Sequence, residues 1–396
     1  MTARDPQGKP PKLPGALLVL LSGQPVGRLT RQRDNYVEFA FRPDYIRHTP
    51  RPILSQSFED DLQAMERRRV RLMPFFSNLL PEGALRTLVA EQYGLHPEHE
   101  FAMLLALGED LPGAVTVVAD HDAAIPADQE PDPTQPAHAG PEPLLKFSLA
   151  GVQLKFSMME GRRGLTLPGR GHDGDWIVKL PDERAGAPEV PRNEYTTMRW
   201  AEGAGIDIPA VRLVPVAALH GLPKDLALRE DTAYAVRRFD RSPAGRIHSE
   251  DFAQVLGRYS AEKYSGASYE TLAGIVLALC GTDGLWELLR RLVFLCACGN
   301  GDAHLKNWSL RYPDGVRAAL APAYDLVSTI QYIKTDGLAL NLARSKRWED
   351  VTVASFRRLH KILARRLPTR VPAEADLLRQ VDASVAAVRA AWAQLP

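Results

Sequence analysis

The sequence predicts an α+β protein whose strands lie before residue 242 and whose C-terminal region is mostly helical. Three observations predict it. Strand-type runs of apolar and β-branched residues recur at 17–21, 26–30, 36–41, 113–118, 176–180 and 233–237. Apolar residues at helical spacing occupy 269–279, 285–298, 353–367 and 374–395. Between the helical segments stands an acid, an amide and a second acid, Asp302, Asn307 and Asp325, in the order in which a kinase presents its base and two metal ligands.

Composition bounds the rest. With 396 residues the chain suggests two to three compact units. Its 45% hydrophobic and 24% charged residues are those of a globular protein, and a net charge of +1 gives no reason for tight nonspecific binding to nucleic acid or membrane. Cys280, Cys296 and Cys298 make neither a metal pattern nor a disulfide framework, and are expected to pack as small hydrophobes in a reducing compartment. The start shows no targeting signal, and Asp283, Glu287, Arg290 and Arg291 break the longest apolar region, so a cytoplasmic protein without a membrane partner is expected.

In chain order, residues 15–41 read as strands with turn chemistry at Gly23 and Pro25. From about 58 to 107 the pattern reads as helical, which makes the run Arg67, Arg68, Arg69, Arg71 a solvated helix face. Residues 120–143 hold six prolines among Asp, Glu, Ala and Gln, a linker or mobile loop with little to bury. Ser148, Gly151 and Lys155 then lie between two strand-like runs. Gly151 would let backbone N–H groups approach a phosphate and Lys155 would supply charge, although the spacing is neither of the usual Gly-rich fingerprints.

Lys179 stands among apolar residues at the end of a strand, and Glu194 follows at the start of a helix running to about Ala204. A strand lysine held by a helix glutamate is the pair that grips the α- and β-phosphates in kinases. Residues 237–241 leave the next strand where a hinge between two lobes would lie. Gly299 and Gly301 would end a buried helix and turn a loop into a cleft. There Asp302 would deprotonate the attacking hydroxyl, and Asn307 and Asp325 would offer hard oxygens to Mg2+. Residues 344–347, with Arg357 and Arg358, add a basic flank that reads as a solvated surface.

These matches are ordered along the whole chain. Val26 to Leu29, Asn78 to Pro81, Gly113 to Val115, Ser148 to Lys155, Ile177 to Pro181, Asn193 to Tyr195, Arg238 to Arg241, Glu250 to Gln254, the Asp302 loop and Tyr324 with Asp325 together resemble the HipA family, the serine/threonine-kinase toxins of HipBA-type toxin–antitoxin modules. The resemblance implies a HipA-like kinase fold with a mixed α/β N-terminal part, an all-helical C-terminal lobe and ATP between them. It implies a HipA-type N-terminal subdomain at 15–120, the linker at 120–143, a nucleotide-binding lobe at 144–242 and a helical catalytic lobe at 250–396. By position it assigns ATP binding to Ala150, Gly151, Val152, Gln153, Leu154, Lys155, Lys179, Arg237, Arg238, Phe239, His304, Lys306, Asn307, Tyr324 and Asp325, with Asp302 catalytic, Asn307 and Asp325 on Mg2+, and Glu194 orienting Lys179.

The family resemblance also implies autophosphorylation of Ser148, which silences the enzyme, and a small helix-turn-helix antitoxin similar to HipB that holds the kinase on operator DNA. The first-described member phosphorylates glutamyl-tRNA synthetase, so an aminoacyl-tRNA synthetase is the expected class of substrate. Ala303 replaces a Gly of that member's catalytic loop and Arg237 a Glu of its hinge, and neither change removes a group needed for phosphoryl transfer. Alternatives are a co-repressor partner of the antitoxin with catalysis secondary or lost, and a small-molecule kinase.

Overall fold

The computed structural model describes residues 13–121, 155–161, 164–168, 173–181, 189–222 and 231–395. Ser148, the 150–154 part of the expected phosphate loop and nearly all of the 120–143 segment lie outside the described residues.

The chain begins as a meander. Strands β1 (Ala16–Leu21), β2 (Gln24–Arg31) and β3 (Tyr36–Phe41) pair antiparallel, and the tight β1–β2 turn is made by Ser22 and Gly23, both at positive φ. After the short helix α1 (Pro43–Arg47) comes β4 (Glu66–Arg69), which pairs with β3 at the sheet's edge. Helices α2 (Pro74–Ser77), α3 (Gly83–Tyr93) and α4 (Glu100–Leu107) follow, and β5 (Val115–Ala119) closes on β1. Leu17, Val19, Phe39 and Phe41 alternate onto one face and pack on Phe58, Phe75, Phe76 and Leu104.

The basic run 67–71 is therefore not a helix face. Its residues face solvent, so no apolar alternation marks it as a strand, and Tyr36 on the neighbouring strand supplies a ring beneath the Arg67 guanidinium. Charge along an edge strand also discourages pairing with another chain.

The second sheet holds β6 (Lys155–Gly161), β7 (Gly164–Thr166) and β8 (Trp176–Lys179). After helix α5 (Val190–Gly203) it gains β9 (Val211–Pro215), β10 (Leu219–His220) and β11 (Thr232–Arg237), in the order β10-β7-β6-β8-β11-β9. The two-residue strand period divides its core. Phe156, Met158, Trp176, Val178, Ala233 and Ala235 join the core of the first sheet, whereas Ile177, Tyr234 and Val236 pack with α5 and the C-terminal helices. Lys179 follows Ile177 by two residues and so faces the helical side.

A hairpin, β12 (Arg241–Ser242) and β13 (Gly245–Arg246), leads to β14 (His248–Asp251) and helix α6 (Phe252–Val255). Helix α7 (Tyr269–Cys298) is the centre of the C-terminal core. Its two expected halves run into one element, interrupted at Gly281 (φ 71°, ψ −165°) rather than over a four-residue break. By length and composition α7 is apolar enough to cross a membrane despite its five charged residues, and here Leu272, Val276, Leu285, Leu288, Leu292 and Leu295 fill the protein core. Strands β15 (Ser309–Tyr312) and β16 (Ala319–Leu320) pair with β14 in a small sheet inside the otherwise helical lobe, and α8 (Val353–Arg366) and α9 (Glu374–Trp392) pack on α7. Cys280, Cys296 and Cys298 are free thiols, with Cys298 buried.

Candidate active site

Strand register sets the first half of the site. Lys155, Lys179 and Tyr234 stand opposite one another across β6, β8 and β11, so two lysines and a phenol ring share one row facing the helical lobe. The Lys179 ammonium donates to Glu194 Oε1 of α5 at 2.6 Å and to Asp325 Oδ1 of the helical lobe, and lies 5.7 Å from the centre of the Tyr234 ring.

Lys179 and Glu194 are almost fully buried. Burial opposes the charge on Lys179, but Asp325 and Glu194 outweigh it and hold the ammonium protonated above its usual range. One cation between two carboxylates satisfies them unequally. Burial pushes Glu194 up to about 7 against the pull of Lys179, whereas Lys179 and Lys155 overcome the burial of Asp325 and hold it below the usual carboxylate range. Lys155 itself is lowered by burial and by the charge of Lys179, against the opposing pull of Asp325.

The second half begins where α7 ends. Gly299 adopts φ 63°, the left-handed C-cap that favours glycine, and its N–H bonds the Leu295 carbonyl. In the loop beyond, the Asp302 main chain is fixed on both sides. Its N–H donates to Asn300 Oδ1 at 2.9 Å, and its carbonyl accepts from Asn307 Nδ2 at 2.9 Å and from the His304 N–H at 2.8 Å. Its carboxylate opens to solvent, with Oδ1 accepting from the Tyr264 hydroxyl. Partial burial raises the Asp302 pKa, while the Tyr264 hydrogen bond and Lys263 pull it down. Because Asn307 uses its amide nitrogen on Asp302, its Oδ1 is left as a donor oxygen.

Around these groups lies a cleft of about 1850 Å³, lined by every described candidate residue except Glu194, which stands behind Lys179. The rings of Phe239, from the end of β11, and Tyr324, from the helical lobe, meet at 5.5 Å, and the Tyr324 hydroxyl donates to the Lys306 carbonyl. Burial keeps His304 neutral, lowering it to about 4, with Lys263 adding to the effect.

Two expected nucleotide contacts have their charged ends occupied. The Arg238 guanidinium bonds Asp240, Asp110, Ser157 and the Leu111 carbonyl in a buried cluster, so Arg238 presents main chain to the cleft. The Lys306 ammonium bonds Asn78 Oδ1 and Asp251 Oδ2, each at 2.8 Å, which ties the Asp302 loop to the N-terminal region.

Sequence reasoning missed four groups at this site: Asn300, Tyr264, Asn78 and Glu82. Glu82 is held ionised, at about 2, because Lys306 and Lys263 overcome its burial. Asn78 and Glu82 stand in the 78–82 segment that carried part of the family match, but their contacts span more than 180 residues and leave no local pattern.

Comparison with known proteins agrees with this architecture. Residues 17–118 match the model of the HipA N-terminal domain, and residues 147–392 that of the HipA-like C-terminal domain. The candidate kinase Y4dM of Sinorhizobium fredii is 44% identical over 337 residues, covering 83% of this chain and 81% of the relative. The serine/threonine-protein kinase toxin HipA of Shewanella oneidensis is 27% identical over 293 residues, covering 65% of this chain and 63% of that protein. Among solved structures, a chain from the complex of Shewanella oneidensis HipA, HipB and operator DNA superposes with a TM-score of 0.71 at 22% identity, covering 96% of this chain and 91% of that one, a likeness of fold.

Proposed function

The chain belongs to the HipA family, and on that premise we propose that it is an ATP- and Mg2+-dependent serine/threonine-protein kinase whose site is the cleft between the second sheet and the helical lobe. The observation that carries the reading is the Lys179 ammonium, buried between Glu194 and Asp325 in the same cleft as the solvent-facing Asp302 carboxylate. A lysine held in this way is a fixed positive charge for phosphate oxygens.

Each residue then has a task. Lys179 and Lys155 hold the phosphate chain, Glu194 orients Lys179, and the main chain of Arg237, Arg238 and Phe239 meets the adenine beside the Tyr324 ring. Asp302 Oδ2 takes the proton of the substrate hydroxyl as its oxygen bonds the γ-phosphorus, while the bond to the β,γ-bridging oxygen breaks and ADP leaves. The donor set fits Mg2+: Asn307 Oδ1 and an ionised Asp325 are two hard oxygens, and this metal completes its shell with waters and phosphates. When bound, Mg2+ neutralises the charge that builds on the β- and γ-phosphate oxygens.

The finer reading is a toxin that inhibits growth by phosphorylating a translation-related protein, an aminoacyl-tRNA synthetase by family analogy, and that silences itself at Ser148. We take 15–120, 144–242 and 250–396 as its N-terminal, nucleotide-binding and catalytic units. The test is mass spectrometry of the protein after incubation with Mg2+ and labelled ATP, with Asp302→Ala as control. Label on Ser148 that the control loses is the expected result, and label that the control retains would contradict the assignment of the base.

A second reading draws on the complex from Shewanella oneidensis, in which a chain of this fold accompanies HipB and operator DNA. By analogy the protein would join a helix-turn-helix antitoxin on its operator. A gel-shift assay in which it retards the antitoxin–operator complex further would support that role, and unchanged mobility would discount it.

A further inference from the structure

We propose that Asn300 is a positioning residue that fixes the catalytic base Asp302 and the metal-binding Asp325 relative to each other, an inference that rests on the kinase reading above. Asn300 is fully buried, and both ends of its amide are used. Its Oδ1 accepts the Asp302 N–H at 2.9 Å, and its Nδ2 donates to the Asp325 carbonyl at 3.3 Å. The first bond is an ordinary local turn, of the kind Asn, Asp or Ser can make two residues ahead. The second is not local, because it reaches 25 residues along the chain to the other half of the site.

Asn is the residue this place requires. An aspartate would face the Asp325 carbonyl with oxygen against oxygen, and a serine would keep the turn but fall short of Asp325. Asp325 also needs such a restraint, since it holds φ 55°, the left-handed region that side chains other than glycine seldom adopt.

The next residue repeats the arrangement. The Gly301 N–H donates to Thr329 Oγ1 at 2.7 Å, the Thr329 hydroxyl bonds the Asp336 carboxylate and lies 3.1 Å from the Gly299 carbonyl, and a Cβ at Gly301 would collide with the Asp336 carboxylate. The segment after Asp325 is thus fastened to 299–301 at several points. Asn300 is the one whose side chain bonds the main chain of both functional acids.

The test compares Asn300→Ser, which keeps the local turn, and Asn300→Asp, which keeps the shape, with the unaltered chain. ATP affinity is measured by calorimetry in Mg2+ and in EDTA, beside kcat and KM for label transfer and thermal melting. Both variants should lose about tenfold in the Mg2+-dependent gain of ATP affinity and about a hundredfold in kcat, with affinity in EDTA unchanged. Folded variants whose Mg2+-dependent affinity and kcat stay within about twofold of the unaltered chain, whatever their melting temperature, would overturn the proposal. If the unaltered chain binds Mg2+ and ATP together but transfers no phosphate, the kinase reading fails while the affinity comparison still decides Asn300. An unaltered chain that binds no nucleotide overturns both.

Discussion

Two buried charge clusters flank the second sheet, and they do opposite things with similar residues. At the end of β11, Arg238 and Arg241 meet Asp110 and Asp240. Further along the same sheet, Lys179 meets Glu194 and Asp325, with Lys155 opposite it across the strands. In the first cluster planar guanidinium groups bond the carboxylates at several points, so the arginines overcome burial and hold both aspartates below the usual range. In the second, one point charge serves two acids. Among the described residues Glu194 Oε2 is buried without a hydrogen-bond partner, as Asp110 Oδ2 is in the first cluster, and burial holds Glu194 near 7. The first cluster joins the N-terminal turn at 110–113 to the β11–β12 connection. The second holds an acid near neutrality beside an ammonium that lines a cleft, as expected where charge is reserved for a ligand.

The widest separation between the clusters should come from the acids and lysine of the cleft. Asp302→Asn should lower phosphate transfer about a thousandfold while ATP affinity, read by calorimetry, is kept. Lys179→Met should lower transfer at least about a hundredfold. Its unfolding free energy should change by about 1 kcal/mol or less, because Glu194 can take up a proton and Asp325 can turn to solvent.

Asp110→Asn should show the reverse. Denaturant unfolding should lose about 3 kcal/mol, since two buried guanidinium groups lose a charged partner, and kcat per folded molecule should hold. A large loss of kcat with unchanged stability would erase the distinction between the clusters.

Glu250 gives a smaller effect between the two cases. It is buried and accepts from two hydroxyls, Ser55 and Tyr312, and the Gln56 N–H. Burial raises its pKa from 4.5 to about 7, so the fold prefers the neutral acid. That stabilisation is complete below pH 4.5 and is lost as pH rises through about 7. Melting of Glu250→Gln against the unaltered chain should therefore favour the variant progressively from pH 5 to pH 8, by up to about 3 kcal/mol. A gap independent of pH would show that Glu250 is ionised throughout.

What the sequence made legible followed from spacing. The order of Asp302, Asn307 and Asp325 pointed to one cleft, which all three line, and a strand lysine before a helix glutamate pointed to the bond between Lys179 and Glu194. That the Arg238 side chain turns away from the cleft could not be read, since its partner Asp110 lies 128 residues away and adjacent arginines after a strand look alike whichever way they turn. Strand β4 was hidden because both its faces are polar, so the pattern that marks a strand is missing. Asn300 lay in plain view two residues before Asp302. Its bond to Asp325 becomes visible only when α7 ends against the segment carrying that acid.

A crystal structure of the chain with Mg2+ and a non-hydrolysable ATP analogue would show where the nucleotide binds. Phosphate oxygens on Lys179, adenine beside Phe239 and Tyr324, and the metal between Asn307 Oδ1 and the Asp325 carboxylate, with Asp302 facing the γ-phosphate, are the expected result. Nucleotide bound elsewhere, or in this cleft with its phosphates turned away from Lys179 and Asp302, would contradict it.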